Sequence, residues 1–342
     1  MKSMDIRKIL LIPLFCGLLL NSCKDKEEET YFDFDGDLET VETLPSYANP
    51  GDVIHVTPYG ITKDPDDPDN PTITYSFMYT PGMTKRDTMK TFIISVPDTL
   101  CTSKIQVFAS APGYNTYTSE YTIAIIDPDK SLTNVTHDPE GGTFTDPRDS
   151  RTYPYTTIEG LDWMTKNLAY CEYGKAYKGI KDHGYEAMTD VFGMYYTWDQ
   201  AMTACPEGWR LPSDEDWTDM CQNLTETVLT PLKTFPGIAG KLMANGYLNS
   251  ERLWIYYTVC KPEPEASYMN LLPTGYASKS DDVYTFDNTL GFAAFWTSTE
   301  ADSQRAYCRY LYNNEKNADV QAHPLYKEFF ATPVRCVRDA QF

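Results

Sequence analysis

One stretch of twenty residues, WDQAMTACPEGWRLPSDEDW from Trp198 to Trp217, specifies two short helices and the turn between them. Thr197 followed three residues later by Gln200 is a capping box, which predicts that a helix starts at Trp198. The sequence PEG ends that helix, because proline and glycine interrupt helical backbone. Ser213 is predicted to cap a second helix, and the three acids after it favour the positive end of a helix.

Both predicted helices carry one apolar face, because apolar and sulfur-containing residues recur at positions i, i+3, i+4 and i+7. In the first helix these residues are Trp198, Ala201, Met202 and Cys205. In the second helix they are Trp217, Met220, Cys221 and Leu224. We therefore expect both helices to pack on a core and build scaffold, leaving ligand recognition to other segments.

The N-terminus has the features of a signal segment that is removed during export. Residues 1–22 combine a basic start with an apolar run of 12 residues that is too short to span a membrane. The sequence LNSC and the acidic run KDKEEE follow, an order that resembles bacterial lipoprotein signals and the surface-export signal of Bacteroidetes lipoproteins. The resemblance implies a lipid on Cys23, an acidic tether over residues 23–30, and a cell-surface position at the outer membrane. The alternative is an ordinary secretory signal with a chance cysteine.

The charge of the chain excludes one class of ligand. The chain has 29 Lys and Arg against 49 Asp and Glu, a formal net charge of −20. Nucleic acid is not expected as a partner, because binding phosphates requires clustered basic side chains. The 26 tyrosines instead suit β-sheets and wet binding surfaces, since the ring packs while the hydroxyl reaches water.

Residues 31–127 are predicted to form a β-sandwich that resembles the immunoglobulin-like modules of bacterial surface proteins. Short runs rich in β-branched and aromatic residues alternate there with turn sequences. The predicted strands are DVIHVTPYG, TITYSFMY, KTFIISV, KIQVFASA and EYTIAII. Residues 128–142 are rich in Pro, Asp and Gly and are predicted to be a linker to a second domain over residues 143–342.

Two short motifs in the first domain have a functional interpretation. The acidic run DPDDPDNP at residues 64–71 contains the oxygen ligands that calcium prefers, but its prolines and spacing favour an acidic hairpin loop. The tripeptides DTM and DTL resemble the O-glycan acceptor pattern of Bacteroidetes secreted proteins, which implies glycans on Thr88 and Thr99. The four histidines are scattered, so no metal site is predicted from them.

The second domain carries the most specific resemblance. The sequences GTFTDPRDSRTYPYTTIEGLDWMTKNLAY, YYTWDQAMTACPEGWRLPSDEDW, GFAAFWTSTE, AYCRYLY and PVRCVRD occur in this order. Together they resemble the Fibrobacter succinogenes major paralogous domain of Bacteroidetes and Fibrobacteres lipoproteins, over residues 143–340. The resemblance implies a C-type lectin-like α+β fold with two helices, a small twisted sheet and a long loop region. The expected fold class is therefore mixed, an all-β module followed by an α+β domain.

The resemblance also implies one disulfide. In C-type lectin-like folds a cysteine at the end of the first helix pairs with one in the last strand, and here these are Cys205 and Cys336. The alternative is two buried thiols that pack as small apolar groups. Cys101 is expected to be free. The sequence leaves the pairing of the others open: Cys171, Cys221, Cys260 and Cys308.

The long segment after the second helix is the expected ligand region, because long loops carry binding in lectin-like folds. Its aromatic rings can stack on sugar faces and its polar side chains can hydrogen-bond hydroxyls. The candidate residues are Trp254, Tyr256, Tyr257, Glu263, Glu265, Asp281, Asp282 and Asn288. In the alternative interpretation Trp254 belongs to the core and the acids are solvated.

Calcium is not expected as a cofactor. The run KPEPE resembles the Glu-Pro-Asn calcium and sugar motif of C-type lectins, but Glu265 stands where the motif has Asn. The sequence FWTST likewise lacks the Asn and Asp of the Trp-Asn-Asp motif. The sequence therefore does not predict a calcium-dependent sugar site of the lectin type.

The expected function is non-catalytic binding of glycan or protein ligands, in adhesion or nutrient capture. One alternative is a structural subunit of a pilus-like or envelope assembly. A second is an enzyme on the scaffold related to formylglycine-generating enzymes, which needs a reactive cysteine pair. Cys308 lies near the C-terminal motif, but AYCRYLY is predicted to be a strand and no partner cysteine is identified. No GxSxG, HExxH or phosphate loop occurs, and no catalytic residue is assigned.

Overall fold

A computed structural model describes residues 31–42, 44, 47–80, 83–85, 92–95, 102–171, 180–181, 188–225, 233–255, 260–312 and 319–341 of the 342-residue chain. The described residues are mostly β-strand, with a few short helices. The following predicted features lie outside these ranges: the signal segment, the tether with Cys23, and Thr88, Thr99, Cys101, Tyr256 and Tyr257.

The N-terminal part of the chain is a set of short strands whose side chains alternate between core and solvent. They are β1 (Glu39–Thr40), β2 (Tyr47–Ala48), β3 (Val53–Val56), β4 (Pro58–Tyr59), β5 (Thr74–Thr80), β6 (Met83–Lys85), β7 (Phe92–Ser95), β8 (Thr102–Ser110) and β9 (Tyr117–Ile125). One sheet has the order β2-β9-β8-β5-β6, while β3 pairs with β7 and β1 with β4. Each of the five predicted strand sequences overlaps an observed strand, so these predictions are confirmed.

The segment predicted as a linker, residues 128–142, contains a strand that pairs with a strand of the C-terminal part. Within it, β10 (Leu132–Thr133) pairs antiparallel with β16 (Tyr247–Leu248). Asn249, directly after β16, donates an Nδ2 hydrogen to the carbonyl oxygen of Ile125 at 2.6 Å. Ile126 is fully buried in the core of the C-terminal part. The two parts of the chain are therefore joined by pairing and packing as well as by the backbone.

The C-terminal part is made of several small antiparallel sheets. Its further strands are β11 (Gly142–Thr145), β12 (Thr152–Ile158), β13 (Leu161–Met164), β14 (Ile180–Lys181), β15 (Met194–Tyr195), β17 (Glu251–Arg252), β18 (Tyr276–Ser280), β19 (Val283–Asp287), β20 (Phe292–Glu300), β21 (Arg305–Tyr312), β22 (Gln321–Tyr326), β23 (Phe330–Ala331) and β24 (Val337–Asp339). The sheet β11-β12-β13-β24 brings the last strand beside the first strands of this part. The other orders are β19-β18-β23, β20-β21-β22, β10-β16-β17 and β14-β15. The strand predicted for AYCRYLY is confirmed as β21.

Of the four helices, α2 and α3 begin where their capping residues predict. They are α1 (Thr189–Phe192), α2 (Trp198–Ala204), α3 (Asp214–Asn223) and α4 (Ala239–Leu242). At α2 the Thr197 hydroxyl accepts from the backbone N–H of Gln200, whose Oε1 accepts from the N–H of Thr197. Ser213 caps α3, and Asp216 completes a second capping box there. Both predicted helix starts are confirmed.

Six of the eight residues predicted on the buried faces are buried, whereas Cys205 is half-buried and Met202 is exposed. Trp198 and Trp217 are buried, so neither ring lines an open cleft. Met202, predicted on the buried face, is 44% exposed. The reason is that α2 turns the i, i+3, i+6 row of Trp198, Ala201 and Ala204 towards the core, and Met202 lies beside that row.

Cys205 and Cys336 form the predicted disulfide. Their Cα atoms lie 5.9 Å apart, and the bridge spans 131 positions of the chain. Cys205 is the C-cap residue of α2, and Cys336 directly precedes β24. The bridge thus fastens α2 to the terminal strand. The other cysteines of the described residues are free thiols: Cys171, Cys221, Cys260 and Cys308.

A buried ion network joins α3 to β21. The Nε atom of Arg309 lies 2.7 Å from Asp214 Oδ1, and both residues are buried. Arg309 also donates to the hydroxyl of Thr218 at 2.7 Å, and Lys233 Nζ lies 2.6 Å from Asp214 Oδ2. Because both buried charges are paired and hydrogen-bonded, the network fixes the helix on the sheet without an isolated charge.

Candidate functional site

An open groove of about 730 Å³ lies where several turns of the C-terminal part meet. The first turn of α2 supplies Asp199, and the hairpin of β18 and β19 supplies Lys279 and Tyr284. The turn between β20 and β21 supplies residues 303–304, and the segment from the end of β22 to β23 supplies residues 326–329. The volume is within the range of small-ligand sites, about 300–1,000 Å³.

Two exposed aromatic rings line the groove. Tyr326 is 48% exposed and Phe329 is 46% exposed. Their ring centroids lie 6.1 Å apart, and the ring planes meet edge to face at 68°. Two large rings that lie together in one concave surface form an apolar patch that a ligand can cover.

The lysines of the groove are already paired with acids. Lys279 Nζ lies 2.8 Å from Asp282 Oδ1, and this hydrogen bond raises the pKa of Lys279 and lowers the pKa of Asp282. Lys327 Nζ lies 3.4 Å from Glu300 Oε1 and 4.1 Å from the centre of the Trp198 ring. Among the described residues, the groove therefore carries no surplus of positive charge.

A second depression, the aromatic pocket, has a volume of about 410 Å³. Phe292 of β20 stacks on Tyr310 of β21 with ring centroids 5.5 Å apart, and Tyr276 of β18 meets Phe292 edge-on at 5.7 Å. Leu325 and Phe330 line this pocket, whereas the residues between them line the groove. One turn of the chain therefore forms part of both depressions.

The thiol of Cys308 lines the aromatic pocket but is not an activated nucleophile. Burial raises the pKa of this thiol to about 12, whereas a reactive cysteine needs a lowered pKa. His323 is the residue opposite Cys308 in the pairing of β21 with β22, and its own side chain is exposed. The pocket offers apolar and aromatic packing to a ligand.

Three of the predicted ligand residues lie at or beside these depressions. Asn288 lines the aromatic pocket. Asp281 and Asp282 form the turn of the β18–β19 hairpin, both with positive φ. Asp282 acts on the groove through Lys279, which it holds in an ion pair. Ligand binding by these three residues stays a prediction.

Of the remaining predicted ligand residues, those that the structure describes are not part of either depression. Glu263 and Glu265 are exposed near the short 3-10 helix Pro264–Ala266 and line neither the groove nor the aromatic pocket. Trp254 is buried and donates its indole N–H to the carbonyl oxygen of Leu271 at 2.8 Å. The stacking predicted for Trp254 is wrong, because its ring is enclosed by the core and presents no face to a ligand. Tyr256 and Tyr257 are outside the described residues.

The sequence analysis missed the two rings of the groove. Tyr326 and Phe329 occur in the run YKEFF, in which two charged residues separate aromatic ones. That pattern is a signal for rings held at a solvated turn, because the charges cannot be buried without partners. The other parts of the groove come from distant turns, and no local pattern joins them.

Three further observations concern metal ions, the acidic run and membrane-spanning helices. Within the ranges given above, no group of three or more His, Cys, Asp or Glu side chains is arranged to hold a metal ion. In the acidic run, Asp64 and Asp67 accept hydrogen bonds from the backbone N–H groups of Asp66 and Asp69, as in solvated turns. For the part of the chain that the structure describes, no helix has the length and apolar character needed to cross a membrane.

Comparison with known proteins identifies the C-terminal part. The sequence model of the Fibrobacter succinogenes major domain family matches residues 156–338, from β12 to β24. This range contains both capped helices, the disulfide, the groove and the aromatic pocket. Comparisons with curated proteins and with solved structures gave no significant match. Because the match covers more than half of the chain, the protein belongs to the Fibrobacter succinogenes major domain family.

Proposed function

We propose that this protein is a lipid-anchored protein of a bacterial cell surface that binds a neutral glycan in the groove. The observation that carries the proposal is the pair of half-exposed rings, Tyr326 and Phe329, in an open groove of about 730 Å³. A groove of this size accommodates a few sugar units, because small-ligand sites of about 300–1,000 Å³ bury most of a drug-sized molecule.

The composition of the groove suits the two kinds of surface that a sugar presents. A pyranose ring has an apolar face of C–H groups, which packs on aromatic rings, and a rim of hydroxyl groups. Asp199, Gln304 and Glu328 line the same groove and supply acceptors, and in Gln304 also a donor, for those hydroxyls. The rings would give affinity, and the polar side chains would select the sugar.

The charge of the groove favours a neutral ligand. Lys279 and Lys327 are each paired with an acid, whereas Asp199 and Glu328 add negative charge to the lining. The whole chain carries a formal charge of −20, which repels anionic ligands at a distance. A neutral oligosaccharide is repelled neither by the acids of the groove nor by the charge of the whole chain.

The proposal includes an architecture. Residues 31–127 would form an immunoglobulin-like module and residues 143–342 a C-type lectin-like domain, carried on the tether and anchored through a lipid on Cys23. The N-terminal sheet, the two capped helices and the disulfide between the end of α2 and the last strand support this division. An anchored protein of this kind would hold the groove at the cell surface, where adhesion or nutrient capture takes place.

Glycan binding tests the proposal directly. The chain without its signal segment is screened on a glycan array, and hits are titrated by calorimetry. We expect Tyr326→Ala and Phe329→Ala each to weaken the binding of a hit by about tenfold or more, as for central aromatic residues of binding sites. Tyr59→Ala is the matched control, because Tyr59 is 46% exposed but lies in the N-terminal part, outside the groove.

Two results would overturn the proposal. One is the absence of binding across a broad array of neutral glycans. The other is a co-purifying protein partner whose binding, and not that of any glycan, depends on Tyr326 and Phe329. Chelation of divalent cations is expected to leave glycan binding unchanged, since the groove is built from rings and hydrogen-bonding groups.

A further inference from the structure

A third cavity, here called the linker cavity, lies against the segment between the two parts of the chain. Its volume is about 340 Å³, and it shares no lining residue with the groove. Residues 128–137 form one wall, Thr165 and Lys166 a second, and Asn270 and Leu272 a third. This volume is at the lower end of the range for small-ligand sites and is large enough for one monosaccharide.

The charge of the linker cavity is opposite to that of the whole protein. Lys166 and His137 are the titratable side chains in its lining, and no Asp or Glu lines it. Lys166 is half-buried, and among the described residues its ammonium has no carboxylate within ion-pair distance. The charges of Asp190 and, more weakly, Asp129 act on Lys166 from beyond ion-pair distance, and Asp190 is itself held by Arg151 at 2.7 Å. Burial lowers the pKa of Lys166, as expected for a cation without a partner.

A second unpaired group lies in the same lining. Asn270 is buried and donates an Nδ2 hydrogen to the carbonyl oxygen of Thr136 at 2.7 Å. Its Oδ1 atom is buried and has no hydrogen-bond partner among the described residues. A buried acceptor without a donor costs free energy, and a ligand hydroxyl would remove that cost.

We propose that the linker cavity binds a small polyhydroxylated carboxylate of the size of a monosaccharide, such as a uronic acid. The carboxylate would pair with Lys166, and a hydroxyl would donate to Asn270. Ion pairs with carboxylates in partly buried sites are stronger than neutral hydrogen bonds, so the carboxylate supplies most of the selectivity. The site is independent of glycan binding in the groove.

A matched pair of sugars tests this proposal with the unmodified protein. D-Glucuronate and D-glucose differ only in the carboxylate, and both are titrated against the chain without its signal segment. We expect glucuronate to bind at least about tenfold more tightly than glucose. Equal affinities, or no binding of glucuronate, would overturn the proposal even if no variant can be produced. Binding of inorganic phosphate as tight as that of glucuronate would also overturn it, because it would indicate a plain anion site.

Variants locate the binding. Lys166→Gln is expected to reduce the affinity for glucuronate at least about tenfold, while Lys166→Arg, which keeps the charge, retains most of it. Lys104→Gln is the control, because it makes the same change at an exposed lysine of the N-terminal sheet. Tyr326→Ala is expected to leave glucuronate binding unchanged, which separates this site from the groove. Loss of binding in Lys104→Gln or Tyr326→Ala, or no loss in Lys166→Gln, would contradict the assignment.

Discussion

Two buried arginines of the C-terminal part have their charges satisfied in different ways. Arg309 pairs with the carboxylate of Asp214, whereas Arg335 donates to Asn167 Oδ1 at 2.5 Å and to three backbone carbonyl oxygens. Burial lowers the pKa of Arg335 to about 9, since carbonyl dipoles replace only part of the hydration that a guanidinium has in water. These two side chains hold α3 and the loop at residues 269–270 in place.

Removing one partner of the Arg309 pair is expected to be strongly destabilising. Asp214→Ala leaves a buried guanidinium without a carboxylate, which costs about 3–5 kcal/mol of unfolding free energy. Urea denaturation followed by tryptophan fluorescence measures this change. Asp302→Ala is the control, because Asp302 also binds an arginine but at an exposed turn, and little change is expected there. Equal effects of the two substitutions would show that the buried network is unimportant.

At the scale of elements, the disulfide determines how the last strand is held. β24 pairs with β13, and the Cys205–Cys336 bridge ties the residue before it to the end of α2. The bridge removes conformations of the unfolded chain, and more of them the longer the closed loop is. Because this loop spans 131 positions, the bridge contributes more to stability than a disulfide across a short turn would.

Substitution of Cys205 is expected to reveal that contribution. On the chain-entropy account, Cys205→Ser lowers the free energy of unfolding by about 4–5 kcal/mol. Denaturation of the wild type with and without reductant should show the same difference, and reductant should have no effect on the variant. A variant as stable as the oxidised wild type would contradict this account.

The elements that the sequence predicts are those whose signals are local. Both capped helices and the strands of the N-terminal sheet follow from residues within ten positions of each other, and the structure confirms them. The prediction of Met202 in the core is wrong, because α2 buries the row of Trp198, Ala201 and Ala204 and leaves the adjacent i+4 position exposed. The groove could not be predicted, because its rings and polar side chains come from turns that only the tertiary fold brings together.

At the scale of the molecule, burial of titratable groups makes the free energy of unfolding depend on pH in the alkaline range. Burial raises the pKa of the Cys221 and Cys308 thiols to about 12, and it raises the phenol pKa values of Tyr153 and Tyr196. The unfolded chain loses these protons at the ordinary pKa values, while the folded protein keeps them. Stability therefore falls as pH rises above about 9. Arg335 and Lys166, whose pKa values burial lowers, act in the opposite sense, but they are two groups against the four named above.

The loss of stability at alkaline pH can be assigned to single thiols. Each such group contributes a slope of about 1.4 kcal/mol per pH unit between its unfolded and folded pKa values. We expect urea denaturation between about pH 9 and pH 11 to show a steep loss of unfolding free energy. In Cys221→Ala this loss should be less steep by about 1.4 kcal/mol per pH unit, the contribution of one proton. The variant is less stable at every pH because of the cavity, but only its slope is diagnostic. An unchanged slope would refute the role of Cys221.

The covalent loop closed by Cys205 and Cys336 also has a mechanical consequence. Most of the groove, from Lys279 to Phe329, lies inside this loop, whereas the proposed anchor precedes it in the chain. When a ligand in the groove is pulled away from the proposed anchor, the bridge passes the tension from Cys205 directly to Cys336, seven positions after Phe329. Separation of Phe329 from Cys205 is then limited by the short segment between Phe329 and Cys336, and not by the long backbone between Cys205 and Phe329. The bridge thus shortens the load path through the C-terminal part, whereas the chain between the anchor and Cys205 is not restricted by it.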